Sequence, residues 1–137
     1  MTFSLYCLIN DNSEDFPLTL VEKKLSERFS KMEGLQIEYE EDPFDASEKH
    51  LRFSWDMWCI LVFYEAGQHV IDDSKEIQKM AGTLVPFEIS SISRRIRVVF
   101  SDDYDLEYTE QMVSMIDFLR KIDGAFVYDP QQNDFVK

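Results

Sequence analysis

Cysteine, glycine and proline are all scarce in this chain of 137 residues, at two, four and four. Two cysteines do not make a secreted disulfide framework. Cys7 in SLYCLIN and Cys59 in WCILVF lie in apolar, strand-like runs. There the default is a buried free thiol packing as a small hydrophobe; a disulfide would require the two strands to be neighbours. Gly34, Gly67, Gly82 and Gly124 are dispersed at element ends. They form no phosphate-cradling loop, and no G-x-S-x-G elbow is present. No apolar run approaches the ~20 residues that span a bilayer. Met1–Asn10 lacks a basic start, so no secretory leader is expected and the expected compartment is the cytoplasm. Internal repeats and low-complexity segments are also missing.

Positive charge is the next shortage. Lys and Arg number 14 against 27 Asp and Glu, for a net charge of −13. The excess sits in residues 1–50, with 12 acids and 5 bases, and in 101–137, with 9 and 3; residues 51–100 balance at 6 and 6. Such a field repels nucleic acid and anionic membranes, which are polyanions, and neither is an expected partner. It favours a basic partner and would speed encounter with one. The bland alternative is that the charge serves solubility.

Chemistry-bearing constellations are absent as well. His50 and His69 are nineteen apart, and no Cys or His pair has metal-ligand spacing. Asp102-Asp103-Tyr104-Asp105 has the look of a calcium loop but lacks the glycine and the bidentate Glu at position twelve. A solvated acidic loop before a helix is the simpler reading, since the helix dipole stabilises acids there. No metal and no cofactor are therefore expected. Nor is an enzyme expected: the apolar neighbours of both thiols argue against a nucleophile, and 137 residues leave little room for a sugar cleft between paired carboxylates.

What is present is apolar bulk. The chain is 45% hydrophobic and 14% aromatic, with eleven Phe, which predicts a folded protein of one domain over residues 1–137 with its own core. FSLYCLI at 3–9 predicts a strand. Thr19-Leu-Val-Glu22 is a capping-box pattern, and Val21, Leu25, Phe29 and Met32 follow at helical spacing, for a helix over 19–33 ended by Gly34. Leu35, Ile37 and Tyr39 alternate with Gln36, Glu38 and Glu40, and a turn follows at Asp42-Pro43.

Residues 51–58 alternate too, with Leu51, Phe53, Trp55 and Met57 on one side and Arg52, Ser54, Asp56 and Trp58 on the other. WCILVFY at 58–64 is apolar throughout, as in a central strand buried on both faces. Residues 51–65 are long for one strand, which implies either a bulge or a tight turn near Asp56. Asp73-Ser-Lys-Glu76 predicts a helix over 73–81 stopped by Gly82, followed by a connection over 83–93 that holds Pro86. Ile96, Val98 and Phe100 mark a strand. A helix over 105–123 capped by Gly124, a strand AFVYDP and a tail or edge strand QQNDFVK close the chain. The order is β-α-β-β-α-β-α-β. The expected class is α+β, with an antiparallel or mixed sheet of about five strands and three helices over at least one face.

Arg94-Arg95-Ile96-Arg97 is the one basic cluster. On a strand Arg95 and Arg97 share a face, and internal salt bridges to the acid-rich segments are the expected use. The aromatics, Trp55 and Trp58 among them, are expected mostly in the core; a tryptophan facing out would be an interface anchor.

Two acidic runs remain. EYEEDPFDASE at 38–48 has six carboxylates in eleven positions without a Lys or Arg, and SDDYDLEYTE at 101–110 has five in ten. Glu38, Glu40, Glu41, Asp42, Asp45 and Glu48 in the first run, and Asp102, Asp103 and Asp105 in the second, are the candidate partner-binding residues. In the first run the acids gain nothing from a helix dipole and repel one another, so solvent or a cationic partner must relieve them.

Three features together carry a resemblance: FYEAGQHVIDDSKEIQKMAG; RRIRVVFSDDYDLEYTEQMVSMIDFLRKIDGAFVYDPQQNDFV; and the small acidic α+β frame around them. Over roughly residues 60–136 the chain resembles the immunity proteins of bacterial polymorphic-toxin and contact-dependent growth inhibition systems. The resemblance implies an antitoxin that binds and neutralises a cognate toxin domain, commonly a basic nuclease, by stoichiometric occlusion. It supplies no catalytic residue. The alternative expectation is a non-enzymatic structural or adaptor module of a bacterial or phage assembly, with the acids merely solvating it.

Overall fold

Period-two alternation of apolar residues lays down most of the chain as strands, and each helix covers part of one face of the sheet they form. The computed structural model describes residues 3–10, 17–42, 44–81, 88–103 and 105–136; the side chains of 42, 45–48 and 81 fall outside the description. The elements are β1 (Phe3–Ile9), α1 (Leu18–Arg28), β2 (Leu35–Asp42), β3 (Asp45–Trp55), β4 (Trp58–Ala66), α2 (Gln68–Ala81), β5 (Arg94–Phe100), α3 (Thr109–Arg120), β6 (Ala125–Asp129) and β7 (Asp134–Phe135). All these strands join one sheet in the order β2-β3-β4-β5-β1-β6-β7. Every neighbouring pair is antiparallel.

The α+β class with three helices is as expected, but the strands are seven rather than about five. One extra strand arises because residues 51–65 break at a tight turn, Asp56–Met57, where Asp56 takes φ 54°. Asp tolerates that left-handed conformation better than most residues. The turn also resets the alternation: Trp58 pairs with Trp55 and is buried beside it, while Met57 is left exposed. The second extra strand is β7 in the tail.

The helix boundaries differ from expectation for identifiable reasons. In α1, Thr19 is not the cap. Pro17 holds that place, its carbonyl accepting the Leu20 and Val21 amides at 3.0 and 3.1 Å with no side-chain cap. The helix stops at Arg28, and Gly34 (φ 83°) acts further on, turning the chain into β2. α2 starts at Gln68, five residues before the expected Asp73, because Gly67 (φ 118°) leaves β4 and Gln68 Nε2 donates to Asp72 Oδ1 one turn later. The proposed stop at Gly82 lies outside the described residues, as does Pro86 of the connection. α3 starts at Thr109 rather than 105, since Leu106 sits at φ 56°, which a helix cannot use.

One face of the sheet packs on α1 and α3, and its buried centre is apolar. Leu5, Cys7, Phe53, Ile60, Val98 and Phe100 meet Val21, Leu25, Phe29, Met115 and Leu119 there. Burying each large side chain contributes about 1.5–3 kcal/mol. Arg28 ties the two helices together, pairing with Asp117 and donating from Nε to Ser114 Oγ at 2.9 Å. On the second face α2 lies against β4 and β5, and with residues 88–92 it forms a smaller cluster of Leu8, Ile77, Ile89, Ile92 and Tyr128 over β1 and β6. Ser74 Oγ donating to Ile92 O at 2.9 Å and Ile89 N donating to Gln78 Oε1 at 2.8 Å dock that segment. Strand β4 is thus central but buried on one face only: Trp58, Ile60 and Val62 are buried, whereas Cys59, Leu61 and Phe63 are half-buried.

Cys7 and Cys59 are free thiols. Their strands are separated by β5, and they project to opposite faces, so the neighbourhood a disulfide requires is absent. Among the described residues no helix is long and apolar enough to cross a membrane.

Candidate partner-binding surface

β2 is one of the two edge strands of the sheet, and the first acidic run forms its hairpin with β3. Glu38 and Glu40 project to the face that α2 leaves open, in register with Arg52 and His50; Glu41 lies opposite Lys49. The run carries no base of its own, but its partner strand supplies Lys49, His50 and Arg52. Glu40 accepts from His50 Nε2 at 3.1 Å and from Arg52 Nη1 at 3.4 Å. Much of the expected repulsion is therefore relieved inside the hairpin. On the other face Tyr39 Oη donates to Glu22 Oε2 at 2.7 Å, pinning the edge strand to α1. Burial first, and then that carboxylate, push the Tyr39 phenol up to about 12, although the residue stays 41% exposed.

Past Glu41 the register shifts, so that Asp42 pairs with Asp45. The side chains of Asp42, Asp45 and Glu48 lie outside the described residues. Phe44 stands at the tip between Asp42 and Asp45 and is 98% exposed. It was not a candidate from the sequence; the signal available was an aromatic residue inside a turn, between Pro43 and Asp45.

The second run is elsewhere. Ser101 N donates to Cys59 O at 3.0 Å, which places the loop beside the Asp56–Met57 turn. That turn is at the far end of β3 from the hairpin tip, about 33 Å away at ~3.3 Å per residue. The fold does not bring the two runs together. Asp103 is committed to the loop itself, its Oδ1 accepting from Glu107 N and its Oδ2 from Tyr108 N, each at 2.9 Å. That turn presents Tyr108, which stacks on Trp58 at 4.7 Å with an interplanar angle of 4°. Asp102 and Asp105 are exposed. Both tryptophans are buried, so neither is an outward anchor.

Arg95 and Arg97 share one face, as expected, but their partners are not in the acidic runs. Arg95 donates to Glu65 Oε1 and Asp73 Oδ2, both at 2.8 Å, and Arg97 Nε to Glu65 Oε1 at 3.3 Å. Compared with family models, curated proteins and solved structures, the chain matches none.

Proposed function

We propose that the protein is a cytoplasmic, non-enzymatic binding protein of the immunity type, and that it neutralises a cognate toxin with a basic domain, such as a nuclease, by occlusion through the β2–β3 hairpin. The observation that carries this reading is Phe44, 98% exposed at the tip of an acidic hairpin on an edge strand. Carboxylates alone make a poor inhibitor, because exposed ion pairs contribute only ~0–1 kcal/mol each. An aromatic anchor entering a pocket adds about 2–3 kcal/mol of apolar burial. It also excludes water from the pairs around it, and these then become strong. The loop over 101–110 is assigned no share in this contact, given its distance and the structural use of Asp103.

The test is affinity and rates against the toxin domain encoded beside this chain. Phe44→Ala is expected to weaken binding by about 30-fold, mainly through faster dissociation. The double variant Glu38→Gln with Glu41→Gln should weaken it by about fivefold, mainly through slower, less salt-sensitive association. Glu40 is left in place because it holds His50 and Arg52. If Phe44→Ala and the double variant both bind as wild type does, the hairpin reading is wrong.

A further inference from the structure

Of the two sheet edges, β7 has two residues and β2 has eight. In an antiparallel ladder the main chain of successive residues faces alternate sides. Which groups of β2 look outward follows from the inner strands. Cys59 O accepts from Ser101 N at 3.0 Å, and Cys59 N donates to Ser101 Oγ at 3.3 Å, so the main chain of Cys59 faces β5. Ser54, its partner in β3, therefore turns its own main chain toward Gln36 of β2. By alternation Glu38 and Glu40 also face β3, and Leu35, Ile37, Tyr39 and Glu41 point their amides and carbonyls off the sheet. Among the described residues, the main chains of Ile37, Tyr39 and Glu41 make no bond outside the ladder. The side chains along this edge are of two kinds. Gln36, Glu38 and Glu40 stand on the open face; Leu35, Ile37 and Tyr39 stand on the α1 side, where Leu35 and Ile37 pack against the core. Glu40 is held by His50 and Arg52, whereas Glu38 makes no ion pair among the described residues.

We propose that β2 accepts, as an additional strand, an extended segment of a basic protein that alternates Lys or Arg with apolar residues. The outward amides and carbonyls give affinity to any such strand, and the two flanks select its sequence. Basic side chains would stand beside Glu38 and Glu40, and apolar ones beside Ile37 and Tyr39. A second copy of this chain is disfavoured there, because antiparallel pairing of β2 with itself sets like charges side by side. The source of the segment is the toxin domain, a step that rests on the hairpin reading.

The test is residue-resolved amide exchange by NMR, with an acetylated octapeptide of alternating Lys and Val as the probe. With the peptide bound, the amides of Ile37, Tyr39 and Glu41 should exchange about tenfold more slowly, while those of Gln36, Glu38 and Glu40, already in the ladder, should not change. Glu38→Gln should weaken the peptide about fivefold, and Phe44→Ala should leave it unaffected. Outward amides that stay unprotected at millimolar peptide would overturn strand addition. So would equal affinity for a peptide of the same composition with its lysines and valines in two blocks. In the complex with the toxin domain the same three amides should be protected; if only the peptide protects them, the toxin is not the source. A protected edge with Phe44→Ala binding the toxin as wild type does would remove the role of the tip and leave strand addition standing.

Discussion

The two faces of β3 and β4 are built from alternate residues of the same strands and meet opposite surroundings. Leu51, Phe53, Trp55, Trp58, Ile60 and Val62 point toward the side that α1 and α3 cover, and each is at most 3% exposed. His50, Arg52, Ser54, Cys59, Leu61 and Phe63 point the other way, where α2 lies mainly against β4 and β5. The buried polar and charged residues among those described, Ser54, Ser74 and Arg95, all belong to this second side. An antiparallel sheet allows such a division, since only one face must be dry. The closed face concentrates stability. The open face holds charge, with Glu40 paired to His50 and Arg52, and Glu65 and Asp73 to Arg95 and Arg97.

The sharpest way to break this comparison is to truncate one phenylalanine on each face. Phe53→Ala should cost about 3–5 kcal/mol in urea denaturation, because it empties a site between Phe29 and the strands. Phe63→Ala should cost about 1 kcal/mol, the worth of its stacked and cation–π contacts. Equal losses would mean that the open face is as much a core as the closed one.

Arginine gives a smaller effect on the open face alone. Arg95→Ala removes a buried cation bonded to Glu65 and Asp73 and should cost about 1.5–3 kcal/mol. The loss stays below that of a fully stranded buried pair, since Glu65 keeps Arg97 and Asp73 is 51% exposed. Arg97→Ala, with the side chain 29% exposed, should cost under about 1 kcal/mol. The reverse order in chemical denaturation would show that Arg97, not Arg95, organises that side.

The cysteines give the smallest effect and sharpen the contrast most cleanly. Burial pushes the Cys7 thiol from 9.0 up to about 12. Cys59, on the open face, is half-buried and bonded to Ser101 Oγ at 3.1 Å. A thiol reagent at pH 8 should label Cys59 in the native protein and both residues in denaturant. The raised folded value means that neutral Cys7 contributes stability in full below pH 9, and that this is lost as pH rises toward about 12. A Cys7→Ala variant should show a flatter loss over that window; an unchanged slope would assign the alkaline loss to other groups.

Alternation of apolar residues was enough to place β1, β2 and β5, but it set Trp58 on the side opposite Trp55, and the Asp56–Met57 turn is what buries the two together. It was enough also to put Arg95 and Arg97 on one face. Starts of helices were less legible. Thr19 and Asp73 have the residue types of a cap, but the amides they would have capped found a proline carbonyl in one case, and in the other the helix had already begun. The candidate surface was half legible. Its acids were visible as a run, whereas the Lys49, His50 and Arg52 that answer them come from the next strand. Phe44 as an exposed tip was not visible, because an aromatic residue in a sequence reads as core.

The sequence by itself determined the α+β class, the apolar faces and the charge imbalance, since these follow from residue types and their period along one chain. Tertiary structure alone decided that the acidic runs lie at opposite ends of β3, that Glu65 rather than either run receives the arginines, and that β2 ends the sheet as an edge. Those outcomes depend on strand order and register, which bring together residues tens of positions apart. No local propensity records such meetings, because the free energy that selects them comes from the packing of the whole sheet.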